Sequence, residues 1–452
     1  MTSSGTTEPE RFPTGLQNAF WFGTFNAFSF QIVLSSPMFL YARHLDAGAT
    51  VLGLIAGMMP LLVILQIFAA PYVARVGYKR FVYGGWSIRV MFIGLMALLP
   101  LAGGFLDSAT RLALLLAALF GFNFSRGISS CGWLPWITSL VPSSIRGRYL
   151  AIDAAFVNLA SLLVFILAAF TLGSNPPEWR FALLFGFSAL MGAISLSFLK
   201  RIPDVEPPPE EKTSSQPVPW GAIVEFIPFQ RLLWFAVAWA FAYGGVTVFI
   251  VAFLKHLGAF TEQQIMLITA TTFIGALSSL GMLGERLDRL GSKPVLMVAQ
   301  LLGLLMLVGW TLVAGAVIKP GVVFVSILTM VAGLSGAVVQ MANTRLVMAI
   351  APKMGRSHFF ALFSVVSNVS LGIAPLFWGL LIDLNRLTQV RAAGLEWNRF
   401  TVFFAAAAGV MGVAILVCRR LQEPQASGLE TLLREVLIDS PQRLVLRLLH
   451  RG

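Results

Sequence analysis

The sequence predicts an all-α polytopic membrane protein of twelve transmembrane helices in two pseudo-symmetric six-helix bundles, and three observations carry that expectation. Hydrophobic residues make up 57% of the 452 residues, charged residues 12%, and the mean hydropathy is +0.81, a balance no water-soluble chain of this length sustains. Apolar runs of roughly 20 residues, the length that spans a bilayer, recur about twelve times. Short motifs of the first part return about 210 residues later.

The runs fall near 18–40, 51–73, 81–102, 110–135, 149–173, 179–199, 231–254, 263–284, 294–318, 321–345, 357–382 and 398–418. Their lengths predict helices. Around them the chain divides into an N-terminal segment 1–17, a first bundle 18–200, a linker 201–230, a second bundle 231–420 and a tail 421–452. With loops assigned alternately, about 22 of the 32 Lys and Arg lie on the side shared by both termini, which the positive-inside rule makes cytoplasmic. The net charge of +12 is thereby placed in short loops, and no nucleic-acid partner is expected. A multi-pass protein of a bacterial inner (cytoplasmic) membrane is expected, monomeric and surrounded by lipid.

In chain order, Met1 to Gln17 is polar and lacks the basic flank of a cleavable signal. The first span carries Asn26, Gln31, Ser35, Ser36 and Pro37, too polar for lipid, so one face should look inward. Small-residue packing accounts equally for the serines. Gly53, Gly57 and Pro60 in the second span allow close approach and a bend. Arg89 in the third sits roughly 13 Å beyond Arg80, a depth from which its side chain can snorkel. The fourth span places Arg126 near mid-membrane beside Asn123, at an insertion cost of about 2.5–3.5 kcal/mol. Its guanidinium cannot shed the proton, so it needs a polar or anionic partner, from a neighbouring helix or from a solute. Asp153 is an unsuitable partner, because Arg126 lies roughly 24 Å of helix before Pro142 while Asp153 follows Arg148 closely; its depth suits Arg89 better.

The linker, centred on Pro207-Pro-Pro-Glu-Glu-Lys, has no apolar periodicity. The second half carries few deep ionisable groups; its polar content is Tyr243, Thr271, Thr272, Gln300, Gln340, Asn343 and Asn368, with Trp239 and Trp378 as aromatic surfaces. In the tail, Leu429, Leu432, Leu433, Val436 and Leu437 among arginines suit an amphipathic helix on the inner membrane surface. Cys131 and Cys418 both fall in spans and predict no disulfide framework.

The loop from Gly284 to Pro294 supplies glycines for reversal, cations for the cytoplasmic side and a carboxylate to organise them, in Gly284, Asp288, Arg289, Gly291 and Lys293. An earlier copy places Arg75, Gly77 and Lys79 at matching positions, with Ala70 and Ala74 in place of the first glycine and the aspartate. Two further loops match: Pro142 with Arg146-Gly147-Arg148, and Pro352 with Arg356. Asn158 is matched by Asn368 at the same interval, and Arg43-His44-Leu45 by Lys255-His256-Leu257. These loops resemble the signature loops of the major facilitator superfamily of secondary transporters. The resemblance implies two homologous six-helix halves, loops that act as conformational latches, and a central solute cavity. Gln300 and Arg89, on helices that are peripheral in that family, then drop in rank. The family's Gly-Pro antiporter signature is missing from Phe156 to Phe170, and its helix 4 arginine falls at Phe120 rather than Arg126.

The expected function is secondary active or facilitative transport of a small solute, anionic in view of Arg126, by alternating access. The alternative is a non-transporting membrane scaffold or assembly factor of the same fold. Candidate solute contacts are Arg126, Asn26, Gln31, Asn123, Asn158, Trp239, Tyr243, Gln340 and Asn368. The four histidines have no metal-ligand spacing, and no nucleophile elbow or phosphate loop occurs, so no catalytic residue, metal or cofactor is expected. Energy then comes from a gradient of protons or another ion, if transport is active.

Overall fold

The structure, a computed structural model, describes residues 12–141, 146–205, 225–283, 291–350, 356–385, 390–392, 394–421 and 423. The expected tail helix, most of the linker, and Gly284, Asp288 and Arg289 lie outside the described residues.

Where water is excluded a backbone must pair its own polar groups, and the apolar runs accordingly form helices. The first half contains α1 (Gln17–Leu34), α2 (Ser36–His44), α3 (Ala49–Leu62), α4 (Leu65–Val76), α5 (Tyr78–Leu98), α6 (Ser108–Ser129), α7 (Trp133–Leu140), α8 (Arg146–Leu172) and α9 (Glu178–Arg201). The second contains α10 (Ile227–Tyr243), α11 (Val246–Leu257), α12 (Glu262–Leu283), α13 (Ser292–Ala314), α14 (Val322–Ile350), α15 (Arg356–Leu384) and α16 (Arg399–Arg419). Before α16 comes a hairpin, β1 (Val390–Ala392) with β2 (Leu395–Trp397), antiparallel with Arg391 opposite Glu396. Asn398 starts α16: its Oδ1 accepts from the amides of Phe400 and Thr401 at 3.0 Å each.

Among the described residues, ten helical segments are long and apolar enough to cross a membrane. Of the two expected runs outside that set, 18–40 is interleaved with polar residues, among them Asn18, Asn26, Gln31 and Ser35, while 263–284 extends beyond the described residues. Several runs are also broken. α1 stops at Ser35, which is extended (φ −141°), and α10 stops at Gly244–Gly245, where Gly245 has φ +86°. Those two breaks stand about 210 residues apart, the interval of the sequence repeat.

The chain forms two compact units, one comprising Met1–Gln216 with Leu254–Leu267, the other Pro217–Phe253 with Ile268–Gly452. In the first, α1 packs on α8 and α9, α5 on α6 and α9, and α6 on α3 and α4. At the end where α1 begins and α9 finishes, Phe22, Tyr78, Val82, Trp86, Trp136, Tyr149 and Ile202 form a buried cluster. Trp136 Nε1 donates to the Pro203 carbonyl at 3.0 Å, tying the chain that leaves α9 to α7. In the second unit α13 packs on α14 and α16, and α10 on α15 and α16. Lipid supplies no hydrophobic drive between helices, so such contacts rest on close packing and on polar bonds between segments.

Candidate functional site

In the first unit, polar side chains of the broken first helix reach two neighbours. Trp86 Nε1 on α5 donates to Asn26 Oδ1 at 3.2 Å. Gln31 Nε2 donates to Ser161 Oγ on α8 at 2.9 Å, and that hydroxyl donates onward to the Val157 carbonyl. Asn123 Nδ2 donates to the Leu119 carbonyl at 2.9 Å, whereas its Oδ1 is buried with no hydrogen-bond partner. Asn158 Nδ2 donates one turn back to Ala154 O at 2.8 Å.

Arg126 is half-buried on α6, and no hydrogen bond or ion pair joins its side chain to another described residue. Arg89 departs from expectation. It does not snorkel, being only 3% exposed, and its Cζ lies 4.1 Å from the Trp86 ring centroid and 5.3 Å from that of Phe122. Nor does Asp153 pair with it: Asp153 Oδ1 instead lies over Gly23 of α1, 3.0 Å from where a side chain there would begin. The physical reason is azimuth, for Arg89 faces α6 while Asp153 on α8 faces α1. A helix of low expected rank therefore delivers the most deeply buried cation of the described residues.

In the second unit Trp239 and Tyr243, one turn apart on α10, stack with centroids 4.8 Å apart and planes at 12°. Tyr243 Oη donates to Ala332 O of α14 at 2.8 Å. Trp378 Nε1 donates to the Phe241 carbonyl at 2.7 Å. Asn368 Nδ2 donates one turn back to Ser364 O at 2.8 Å, the same arrangement as its repeat partner Asn158. Gln340 is exposed on α14. An apolar groove of about 500 Å³ on this unit, lined by Trp234, Phe241, Phe377, Trp378, Val410 and Val413, offers almost no polar atom.

The expected latch loops are described in part. Gly77 and Gly291 stand at the starts of α5 and α13 with φ +89° and +85°, a region that favours glycine. Arg75 is exposed over the Tyr72 ring, Lys79 and Lys293 are half-buried, and the side chains of Arg146, Arg148 and Arg356 are outside the description. The sequence reading missed Glu423. Its carboxylate accepts from the amides of Ser292 (3.0 and 2.9 Å) and Lys293 (2.8 Å), and from Arg345 Nη1 at 3.3 Å. This is an anion on a helix N-terminus, where unpaired amides and the helix dipole favour negative charge.

At the opposite end of the first unit two carboxylates hold loops. Glu178 accepts from Arg111 Nη1 at 2.6 Å and lies 3.4 Å from His44 Nε2. Glu262, 7% exposed, pairs with Lys255 and accepts from the Asn175 amide at 3.1 Å, while Gln263 N donates to Gly173 O at 2.9 Å. Burial raises the Glu262 pKa, but the Lys255 hydrogen bond and backbone donors outweigh it and hold the carboxyl below its ordinary value. Among the described residues no three His, Cys, Asp or Glu converge as for a metal.

The profile of the Major Facilitator Superfamily matches residues 20–259 and 256–448. No curated protein matches the sequence. Among solved structures, the inward-open xylose transporter XylE from E. coli is similar at TM-score 0.68 and 14% identity, over 92% of this chain and 98% of that one. The human organic anion transporter MFSD10 (TETRAN) gives TM-score 0.59 at 14% identity, over 90% and 100%. A POT family transporter in complex with 5-aminolevulinic acid gives 0.63 at 14%, over 91% and 97%. At these identities the likeness is one of fold.

Proposed function

The chain belongs to the Major Facilitator Superfamily, and from that membership we propose that it carries a small anionic solute across the membrane by alternating access. As a member it is a multi-pass membrane transporter and not an enzyme, and membership does not favour the scaffold alternative. The observation that carries the anionic reading is Arg126, a half-buried guanidinium inside a membrane bundle with no carboxylate partner among the described residues. A cation so placed is costly unless a counter-charge arrives, and a transported anion supplies one. An organic anion transporter and a POT family transporter in complex with 5-aminolevulinic acid, both of similar fold, are compatible with it.

Asn26, Gln31, Asn123, Asn158, Trp239, Tyr243, Gln340 and Asn368 remain proposed solute contacts, and the bundles 18–200 and 231–420 proposed moving bodies. Gln31 and Asn26 are already tied to Ser161 and Trp86, so their solute contact requires exchanging those bonds. A monomer in a bacterial inner membrane with both termini cytoplasmic is part of the same proposal. The test is uptake by purified protein in proteoliposomes, with small carboxylates, phosphate esters and neutral sugars offered separately, each with and without a proton gradient. Anion uptake exceeding that of sugars supports the reading, and a stimulation by the gradient identifies coupling. Uptake confined to neutral solutes contradicts it.

A further inference from the structure

We infer that Arg89 and Arg126 together form one seat for the oxyanion group of the solute, a carboxylate or a phosphate, inside the first unit. The inference rests on the reading of Arg126 as a solute-facing cation and adds a second residue and a ligand geometry to it.

Register sets the two arginines at one height. A side chain at Gly85 of α5 would meet Ser129 of α6, and one at Gly121 of α6 would meet Phe92 of α5. Between these antiparallel landmarks Arg89 falls opposite Ser125, one residue from Arg126. Ser125 Oγ donates to Gly85 O at 2.9 Å and fixes the pairing. The two charges repel each other, and no described carboxylate is bonded to either. Like charges in a poorly solvated bundle destabilise one another, and an anion seated between them relieves that cost.

The second observation is how Arg89 is held. Trp86 and Phe122 contact the guanidinium through their ring faces, which complements its charge but takes none of its hydrogen bonds. Its Nε and Nη1 are buried with no partner. Guanidinium donors lie in the plane of the group, in a fork that matches two oxygens of a carboxylate or phosphate. Leaving such donors unpaired in the interior is costly. The three-to-four spacing puts Phe122, Asn123 and Arg126 on one face of α6, so the unpaired Asn123 Oδ1 is available to a donor on the rest of the solute.

The seat is tested on the full chain, purified in detergent, by the unfolding midpoint in acetate, inorganic phosphate or chloride at equal ionic strength. Wild-type protein should be stabilised several degrees by acetate or phosphate relative to chloride, and whichever acts more strongly names the oxyanion. Arg89→Gln and Arg126→Gln should each abolish that shift, and the double variant should lose no more than either alone. Arg89→Lys, which keeps charge and loses the fork, should weaken the apparent affinity about tenfold and serves if Arg89→Gln does not fold. A shift abolished in Arg126→Gln yet intact in Arg89→Gln and Arg89→Lys overturns the shared seat while leaving the anionic transport reading standing. Absence of a wild-type shift in both anions, in protein that takes up carboxylates in proteoliposomes, likewise removes the seat alone.

Discussion

A charged side chain in a membrane protein has to be answered by something, and each case here is answered differently. Glu423 is answered by hydrogen bonds from two amides, those of Ser292 and Lys293, at the start of α13 and by Arg345. Replacing it by Gln keeps an acceptor and removes the charge, so Glu423→Gln should lower stability by about 1 kcal/mol, read as a reduced unfolding midpoint; an unchanged midpoint would show that the helix terminus is served by solvent. Glu262 is answered by Lys255 and the Asn175 amide. Its folded pKa is lowered from 4.5, so its stabilisation is complete above that pH and is lost as pH falls through the folded value. Wild-type stability should therefore drop more steeply below about pH 4.5 than that of Glu262→Gln, and superimposable acid profiles would count against the clasp. Arg126 stands out in the sequence by depth alone, since mid-span position is visible in a linear chain. Arg89 is misplaced there because helix rank says nothing of which face a residue occupies, and Glu423 is overlooked because that carboxylate belongs to a stretch read as a surface helix.

At the scale of elements, the first helix of each half is broken, at Ser35 and at Gly244–Gly245. Gly245 has φ +86°, and a side chain there would stand 2.9 Å from the Phe249 ring and 3.2 Å from Pro375 Cα. Gly245→Ala should cost at least about 1–2 kcal/mol, the left-handed strain alone, measured as a lower unfolding midpoint; full tolerance would mean that α10 and α11 can join as one helix. The runs themselves were legible because a span needs some 20 apolar residues whatever its neighbours. The breaks were not, because one or two residues scarcely move a hydropathy average. Pairings such as Asn26 with Trp86 and Gln31 with Ser161 join residues 60 and 130 apart, and only the fold reveals them.

For the whole molecule, family and architecture were legible from repeated loops and composition, and the match over 20–259 and 256–448 agrees. The repeat also has chemical content: Asn158 and Asn368 make the same one-turn bond. Reporter fusions after Arg201 and at Gly452 should both signal cytoplasm, as the Lys and Arg bias requires, and an external signal from either would overturn the topology. The central claim is that a membrane-embedded guanidinium recognises an anion, and counterflow across proteoliposomes tests it most directly. With the carboxylate or phosphate ester that wild-type protein exchanges, Arg126→Lys should exchange more slowly and Arg126→Gln, shown to be folded by its elution and unfolding midpoint, should lose exchange. Wild-type exchange by a folded Arg126→Gln protein would contradict the account.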